Sequence, residues 1–446
     1  MIKGGEFLVK DQEAKDIFIP EEFGEHQLMM ASATKEFVEK ELDPHRERFE
    51  KRDYKLTEDC MKKAGELGLL GISVPTEYGG MGMPFNTSIL ICDKISGANG
   101  SFSTAFGAHT GIGILPILLY GDDVQRTKYL SKLASGEWMG CYCLTEPGAG
   151  SDANSGKTKA VLTEDKKHYL ITGQKMWISN AGFADIFIVF ARIEDDKNIT
   201  GFILEKEMKG ITLGNEESKL GLNSSSTRQV FFTQVKVPVE SLLGGRGNGF
   251  KIAMNALNVG RIKLSAAVLD ACRRVISLST NYANERIQFG IPISKFGAIK
   301  QKIADMAVKT FAIESATYRA GSEIEKNILR LVSNGLEHQQ AQLKGIEEYA
   351  IECSIVKVLG SETIQFCSDE GIQIYGGMGY SADAPMEAAY RDARISRIYE
   401  GTNEINRMLL VGLILKKAMK GELDIMNPAM QIAEDLMSIP SFNKAN

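Results

Sequence analysis

The segment Tyr390–Arg407, YRDARISRIYEGTNEINR, sets one carboxylate, Glu400, directly before Gly401-Thr402 and crowds Arg391, Arg394, Arg397 and Arg407 around it. Glycine lets a backbone approach a ligand closely. The threonine hydroxyl and the free amides at the head of the next helix can receive an anion or a ring carbonyl. Such a break can hold a carboxylate against a ligand. The same residues also fit a salt-bridged helix turn, so the decision rests on other segments.

Four segments bear on it. CYCLTEPGAGSD, Cys141 to Asp152, closes a strand and opens a tight loop whose amides could bind a phosphate or a flavin edge. KMWISNAGFAD, Lys175 to Asp185, places Trp177 and Ser179 at a strand-to-turn junction, where an indole can wall a planar group or serve as core. NERIQFGIP, Asn284 to Pro292, reads as a helix closing on Phe289-Gly290. QIYGGMGY, Gln373 to Tyr380, is glycine-rich but is not GxGxxG, and no such fingerprint follows a strand; a Rossmann fold is disfavoured.

The elements that must position these residues fall in three blocks. After a tail over 1–24, helical spacing runs through 25–135. Met30, Phe37, Val38 and Leu42 share one stripe, and Cys60, Ala64, Leu67 and Leu70 another, with Thr57 as a candidate N-cap. Over 136–248 the runs are short and β-branched or aromatic, as in DIFIVFARI and QVFFTQVKVP, predicting a mostly antiparallel β domain. Over 249–420 helical spacing returns, predicting long helices near 248–285, 295–325, 340–370 and 383–415 and hence a four-helix bundle. Residues 421–446, with Pro428 and Pro440, predict a short helix and a loose end. The fold class is mainly α with a central β domain.

The 446 residues carry a net charge of −5, which gives no global field for nucleic acid. Seven scattered cysteines, none in a CxxC pair, favour reduced thiols over a disulfide framework or zinc site; five dispersed histidines leave little for a metal. The first residues, MIKGGEFLVKDQEAKD, resemble no signal or transit peptide, and no apolar run approaches the ~18 residues of a membrane span. The expected location is cytoplasmic, or the mitochondrial matrix for an organellar protein.

Taken in order, CLTEPGAGSD, KMWISN, ERIQFG, QIYGGMGY and RDARISRIYEGTNEINR resemble the acyl-CoA dehydrogenase family from about Gln27 to Leu415. GAHTGIG (Gly107 to Gly113), LNVGRIKLSAA (Leu257 to Ala267) and IYEGTNEI carry a finer likeness to its very-long-chain branch. The resemblance implies a helical N-terminal domain, a β-barrel-like middle domain and a C-terminal four-helix bundle, with FAD between the last two. It implies α,β-dehydrogenation of a fatty acyl-CoA to the trans-2-enoyl-CoA, with Glu400 as base and its backbone N–H helping to hold the enolate oxygen. Tyr142, Leu144, Thr145, Trp177, Ser179, Thr402 and Glu404 match FAD positions. Arg286, Gln288, Phe289, Gln373 and Gly377 match residues that reach the FAD of a neighbouring subunit, implying a homodimer or homotetramer. Ser151, Asn258, Arg261 and Gly401 match substrate positions. One branch takes its base from the position of Gly260, which cannot serve here. The implied acceptor is an electron-transferring flavoprotein. Very-long-chain members usually continue beyond this length, which leaves membrane association open. An oxidase that passes electrons to oxygen, and a catalytically silent acyl-CoA-binding protein, share the fold.

Overall fold

The computed structural model describes residues 2–437. The loose end expected over 438–446 lies outside them. Residues 2–24 are no free tail. They form short turns that dock on the C-terminal helices: Tyr349 donates its hydroxyl to the Ile2 carbonyl at 2.6 Å, and the Gly5 N–H reaches Glu352 at 2.7 Å.

Seven helices follow: α1 (Glu25–Phe37), α2 (Arg46–Glu50), α3 (Tyr54–Glu66), α4 (Phe85–Ser96), α5 (Gly100–Gly107), α6 (Leu115–Tyr120) and α7 (Asp123–Ser135). The N-cap of α3 is Asp53, whose carboxylate accepts from Leu56 N–H at 3.0 Å, and not Thr57. Thr57 lies on the inner face, where its hydroxyl donates to the Ser224 carbonyl at 2.9 Å. Leu67, assigned to an apolar stripe, is exposed because it lies beyond the last turn of α3. The run Gly100–Tyr120 also corrects the sequence reading: it is long and apolar enough to cross a membrane, but 72% of its most apolar window is buried inside the fold, as befits a core helix.

The middle region is an eight-stranded sheet: β1 (Gly140–Cys143), β2 (Lys159–Leu162), β3 (His168–Ser179), β4 (Ile186–Ile193), β5 (Thr200–Glu205), β6 (Ile211–Glu216), β7 (Thr227–Pro238) and β8 (Leu242–Leu243). Its order is β6-β7-β3-β2-β4-β5-β8, with β1 added beside β4. Pairing is antiparallel except where β1 and β2 meet β4. The β4 run IFIVFARI is buried on both faces, which is why it is a continuous apolar string. A register shift between Lys175 and Ile178 puts Trp177 at φ 60°.

The C-terminal helices are α8 (Gly249–Ala266), α9 (Leu269–Glu285), α10 (Gly297–Ser333), α11 (His338–Glu348), α12 (Ala350–Tyr375), α13 (Gly377–Tyr380), α14 (Met386–Arg394), α15 (Asn403–Met419) and α16 (Met426–Met437). Helix α12 is the hub, packed against α8, α9, α10, α14 and α15. Three of the four long helices expected are broken: at Ala267-Val268, at Tyr349 and across 395–402. Periodicity continued through these breaks because the flanking helices bury the same face. The expected helix closure at Phe289-Gly290 is instead a hairpin. Helix α9 stops at Glu285, and Ile287–Gln288 pairs with Ile291–Pro292 around Phe289 (φ 54°) and Gly290 (φ 81°), the two left-handed residues a tight two-residue loop requires.

Gly65 of α3 lies against the end of α7: a Cβ there would sit 2.2 Å from the Ser135 carbonyl oxygen, which is backbone and cannot swing away. Gly65→Ala should destabilise the chain by about 1–3 kcal/mol, read as a lower thermal midpoint. An unmoved midpoint would show that α3 and α7 can separate without cost.

Candidate active site

The turn between α14 and α15 is a strained piece of backbone. Glu400 has φ 59° and Gly401 φ 76°, left-handed values that cost a non-glycine residue on the order of 1–3 kcal/mol unless the surroundings impose them. Three side chains do so. Asn406 donates its amide N–H groups to the Gly401 and Thr402 carbonyls at 2.8 and 3.0 Å, and to that of Glu400 at 3.3 Å. Lys357 of α12 donates to the Gly401 carbonyl and to Asn403 Oδ1, each at 2.8 Å. Arg261 of α8 reaches the Glu400 carbonyl at 3.3 Å and gives a second N–H to Asn258 Oδ1 at 2.7 Å. Thr402 caps α15 by accepting from Ile405 N–H at 3.2 Å.

So held, the Glu400 carboxyl is turned inward. Its Oε2 is buried and has no hydrogen-bond partner among the described residues. Burial pushes its pKa up to about 7, against the pull of Arg261 and Lys357. Burial likewise lowers the Lys357 ammonium to about 8, with Glu400 opposing. The Tyr142 hydroxyl is also buried without a partner. Its pKa is raised by burial first and the Glu400 charge second, which places the two groups in one electrostatic environment. Gly260 makes the room: a Cβ there would lie 2.5 Å from Glu400 Oε2.

The carboxyl opens onto a cavity of about 340 Å³. One wall follows α8 and α9 through Gly260, Lys263, Leu264, Ala267, Ala271 and Leu278, spaced to keep one face toward the cavity. From Gly260 to Leu278 that wall runs along two consecutive helices, α8 and α9, broken at Ala267-Val268. Opposite stand Phe106, Gly107, Ala108 and Gly111. Arg46, Glu50 and Arg274 line it as well.

The sheet edge beside Glu400 is fixed by a buried ion pair. Lys175 donates to Glu146 Oε1 at 2.6 Å and to the Leu144 carbonyl at 3.1 Å, while Glu146 also accepts from the Thr158 amide at 3.0 Å. The Met176 amide bonds the Thr145 carbonyl at 3.0 Å. The loop bearing Thr145 and the bulge bearing Trp177 are thereby locked together. Trp177 is 51% exposed, so it is no core residue; Ser179, on the same strand, lines the cavity.

The structure thus brings Asn258, Arg261, Gly401 and Thr402 to the Glu400 turn, puts Tyr142 in its electrostatic environment and Ser179 on the same cavity, and joins Leu144 and Thr145 to the Trp177 bulge through the Lys175–Glu146 pair. Glu404 is exposed in the first turn of α15, and Ser151 is exposed on the Pro147–Asp152 loop. Arg286, Gln288, Phe289, Gln373 and Gly377 are not brought to this point. They are exposed at the other end of α9 and α12, where Tyr282 and Tyr375 stack at 4.1 Å. Gln373 is sixteen residues beyond Lys357 on one helix, or about 24 Å. Sequence reasoning missed Lys357, Asn406, Lys175 and Glu146. A single lysine inside the apolar run SIVKVLG was the available signal for Lys357. Among the described residues, no group of three or more histidine, cysteine, aspartate or glutamate side chains could hold a metal ion.

A helix–sheet–helix chain with a buried carboxyl at a long apolar cavity has well-characterised relatives. Sequence profiles of the acyl-CoA dehydrogenase N-terminal, middle and C-terminal domains match residues 24–137, 141–235 and 247–414. A Bacillus subtilis protein named "Probable acyl-CoA dehydrogenase" is 47% identical over 437 residues, 98% of this chain and 73% of the relative. The human mitochondrial very long-chain specific acyl-CoA dehydrogenase is 41% identical over 77% of this chain, which spans 51% of that protein. A crystal structure of an acyl-CoA dehydrogenase complexed with FAD from Bacillus anthracis superposes with a TM-score of 0.95 at 44% identity, covering 100% of this chain and 76% of that one. The chain belongs to the acyl-CoA dehydrogenase family and has its fold. It is an oxidoreductase acting on CH–CH groups.

The pH dependence of turnover should carry the Glu400 titration. The ionised form is needed to accept a proton, so kcat/KM should rise as pH passes about 7. Lys357→Met removes a cation that favours the carboxylate and a donor to Gly401. It should move that limb to higher pH and lower its plateau. A limb unmoved in position would mean that Lys357 does not act on Glu400.

Proposed function

We propose that this protein is an FAD-dependent acyl-CoA dehydrogenase in which Glu400 removes the α-proton of a fatty acyl-CoA, giving the trans-2-enoyl-CoA. The observation that carries the reading is the unpartnered Oε2 of Glu400, buried at the cavity and facing the space left by Gly260. A carboxylate with no internal partner, and with its pKa raised toward neutrality, is suited to take a proton from a weak carbon acid. The Glu400 N–H has no acceptor among the described residues and can donate to the thioester oxygen as enolate charge develops. Arg261 and Lys357 hold the turn and help keep the carboxyl ionised before the ligand arrives.

The residues present fit FAD. The Tyr142 hydroxyl is a buried polar atom without a partner, Trp177 offers an exposed face, and Thr402 opens the N-terminus of α15. Tyr142, Leu144, Thr145, Trp177, Ser179, Thr402 and Glu404 would hold the cofactor in its own subunit. Exposed Arg286, Gln288, Phe289, Gln373 and Gly377 would meet it from a second one. Bound FAD supplies acceptance of the hydride from the β-carbon. Ser151, Asn258, Arg261 and Gly401 would line the thioester and CoA end, and an electron-transferring flavoprotein is the proposed acceptor. The length of the α8–α9 wall and its small residues support a long acyl chain, as in fatty acid β-oxidation. The seven free, buried cysteines suit a reducing compartment such as the cytoplasm.

Glu400→Gln should retain FAD yet lose about 10²–10⁴ in turnover. Its folding provides a control. Because the folded pKa of Glu400 lies above the ordinary 4.5, the stability the protonated form contributes is full below that value and is lost as pH climbs through about 7. The Gln variant should therefore be no less stable than the parent near pH 8. Near-normal turnover would remove Glu400 from the mechanism. In an anaerobic titration with acyl-CoAs of increasing length, flavin bleaching should persist to long chains; loss beyond short ones would refute the chain-length assignment.

A further inference from the structure

Three lysines among the described residues are buried: Lys175, Lys263 and Lys357. Two have acceptors built for them, Lys175 in Glu146 and the Leu144 carbonyl, Lys357 in Asn403 and the Gly401 carbonyl. Lys263 is 6% exposed and has none: no carbonyl, hydroxyl or carboxylate of the described residues accepts a hydrogen bond from it. Most of the side chain is covered, yet its Nζ keeps a solvent-accessible face, so its partner must come from solvent or from whatever fills the cavity. Burial lowers its pKa, with only the neighbouring Cys92 thiol opposing.

Its position is specific. Lys263 lies three residues after Gly260 on α8, less than one helical turn from the residue that faces Glu400, and it lines the same cavity. Cys92 neighbours it and a Cβ on Gly111 would touch its Cδ at 3.9 Å; Phe106, Gly107, Ala108, Leu264 and Ala267 line the same cavity. The side chain also borders a water-sized chamber of about 10 Å³ lined by Ser73, Ser88 and Thr110. There the Ser88 and Thr110 hydroxyls already donate to the Phe85 and Phe106 carbonyls.

We propose that Lys263 forms a polar subsite in the acyl channel, which takes acyl-CoA thioesters whose chain carries an oxygen acceptor a few carbons beyond the reacting bond. A hydroxyl, carbonyl or carboxylate oxygen on the chain would give this amine the hydrogen bond that the protein does not. The inference rests on the acyl-CoA reading above and deepens it: the channel discriminates by oxygenation as well as by length.

The test compares kcat/KM of the FAD-loaded enzyme, with an artificial electron acceptor, for hexanoyl-CoA, ω-hydroxyhexanoyl-CoA and hexanedioyl-CoA, and for the eight-carbon set. In Lys263→Met, the ratio of oxygenated to unsubstituted substrate should fall on the order of tenfold or more, the scale of a lost charge-assisted hydrogen bond. Lys263→Gln keeps a donor without the charge and should lose the advantage of the carboxylate more than that of the hydroxyl, so it serves if the Met variant fails to hold FAD. Ratios equal in parent and variants would overturn the subsite; Lys263 would then be satisfied by water in the small chamber. Failure of the parent to oxidise any unsubstituted acyl-CoA would overturn the activity reading, and the subsite with it.

Discussion

The active region depends on one constraint: a left-handed pair, Glu400-Gly401, imposed on the chain between two helices. Left alone, α14 and α15 would run together, and the Glu400 side chain would follow the helical face. The reversal at these two residues turns the carboxyl toward α8 instead. The carbonyls freed by the break are taken by side chains from three elements: Asn406 of α15 reaches all three, Lys357 of α12 shares that of Gly401 and Arg261 of α8 that of Glu400. The strain is therefore maintained by tertiary contacts, and the carboxyl is placed only when three helices are assembled.

The same assembly sets the electrostatics. Lys357 and Arg261 are buried cations without a direct carboxylate partner, and Glu400 is the negative charge that both sense. Their donors go to the Glu400 and Gly401 carbonyls and to the Asn258 and Asn403 side chains, so the carboxyl keeps an oxygen without a partner. On the sheet side, Glu146 and Lys175 neutralise each other. That pair holds the Leu144–Glu146 segment against the Trp177 bulge and leaves nothing over for chemistry. One polar network surrounds an unpartnered carboxyl, while the other only fixes geometry.

Much of this was legible in the residue pattern. The three blocks, the Glu400-Gly401-Thr402 break and the motif residues on the sheet edge all follow from local signals. Thr57 failed as a cap because Asp53, one helical turn earlier, offered a carboxylate. Phe289-Gly290 failed as a helix end because two adjacent left-handed residues close a hairpin as readily. The interruptions near Ala267, Tyr349 and Ile395 were hidden, since periodicity records which face is buried and not whether the helix axis is continuous.

By itself the sequence determined the order of helical and sheet regions, the family to which the chain belongs and the Glu400-Gly401-Thr402 break, because each is carried by residues near one another in the chain. Tertiary structure alone decided that this carboxyl is buried with an oxygen free, that Gly260 rather than a side chain faces it, and that Lys263 enters the channel without a partner. These are properties of distances between residues more than a hundred positions apart, and desolvation depends on all the atoms around a group. No local pattern encodes that sum.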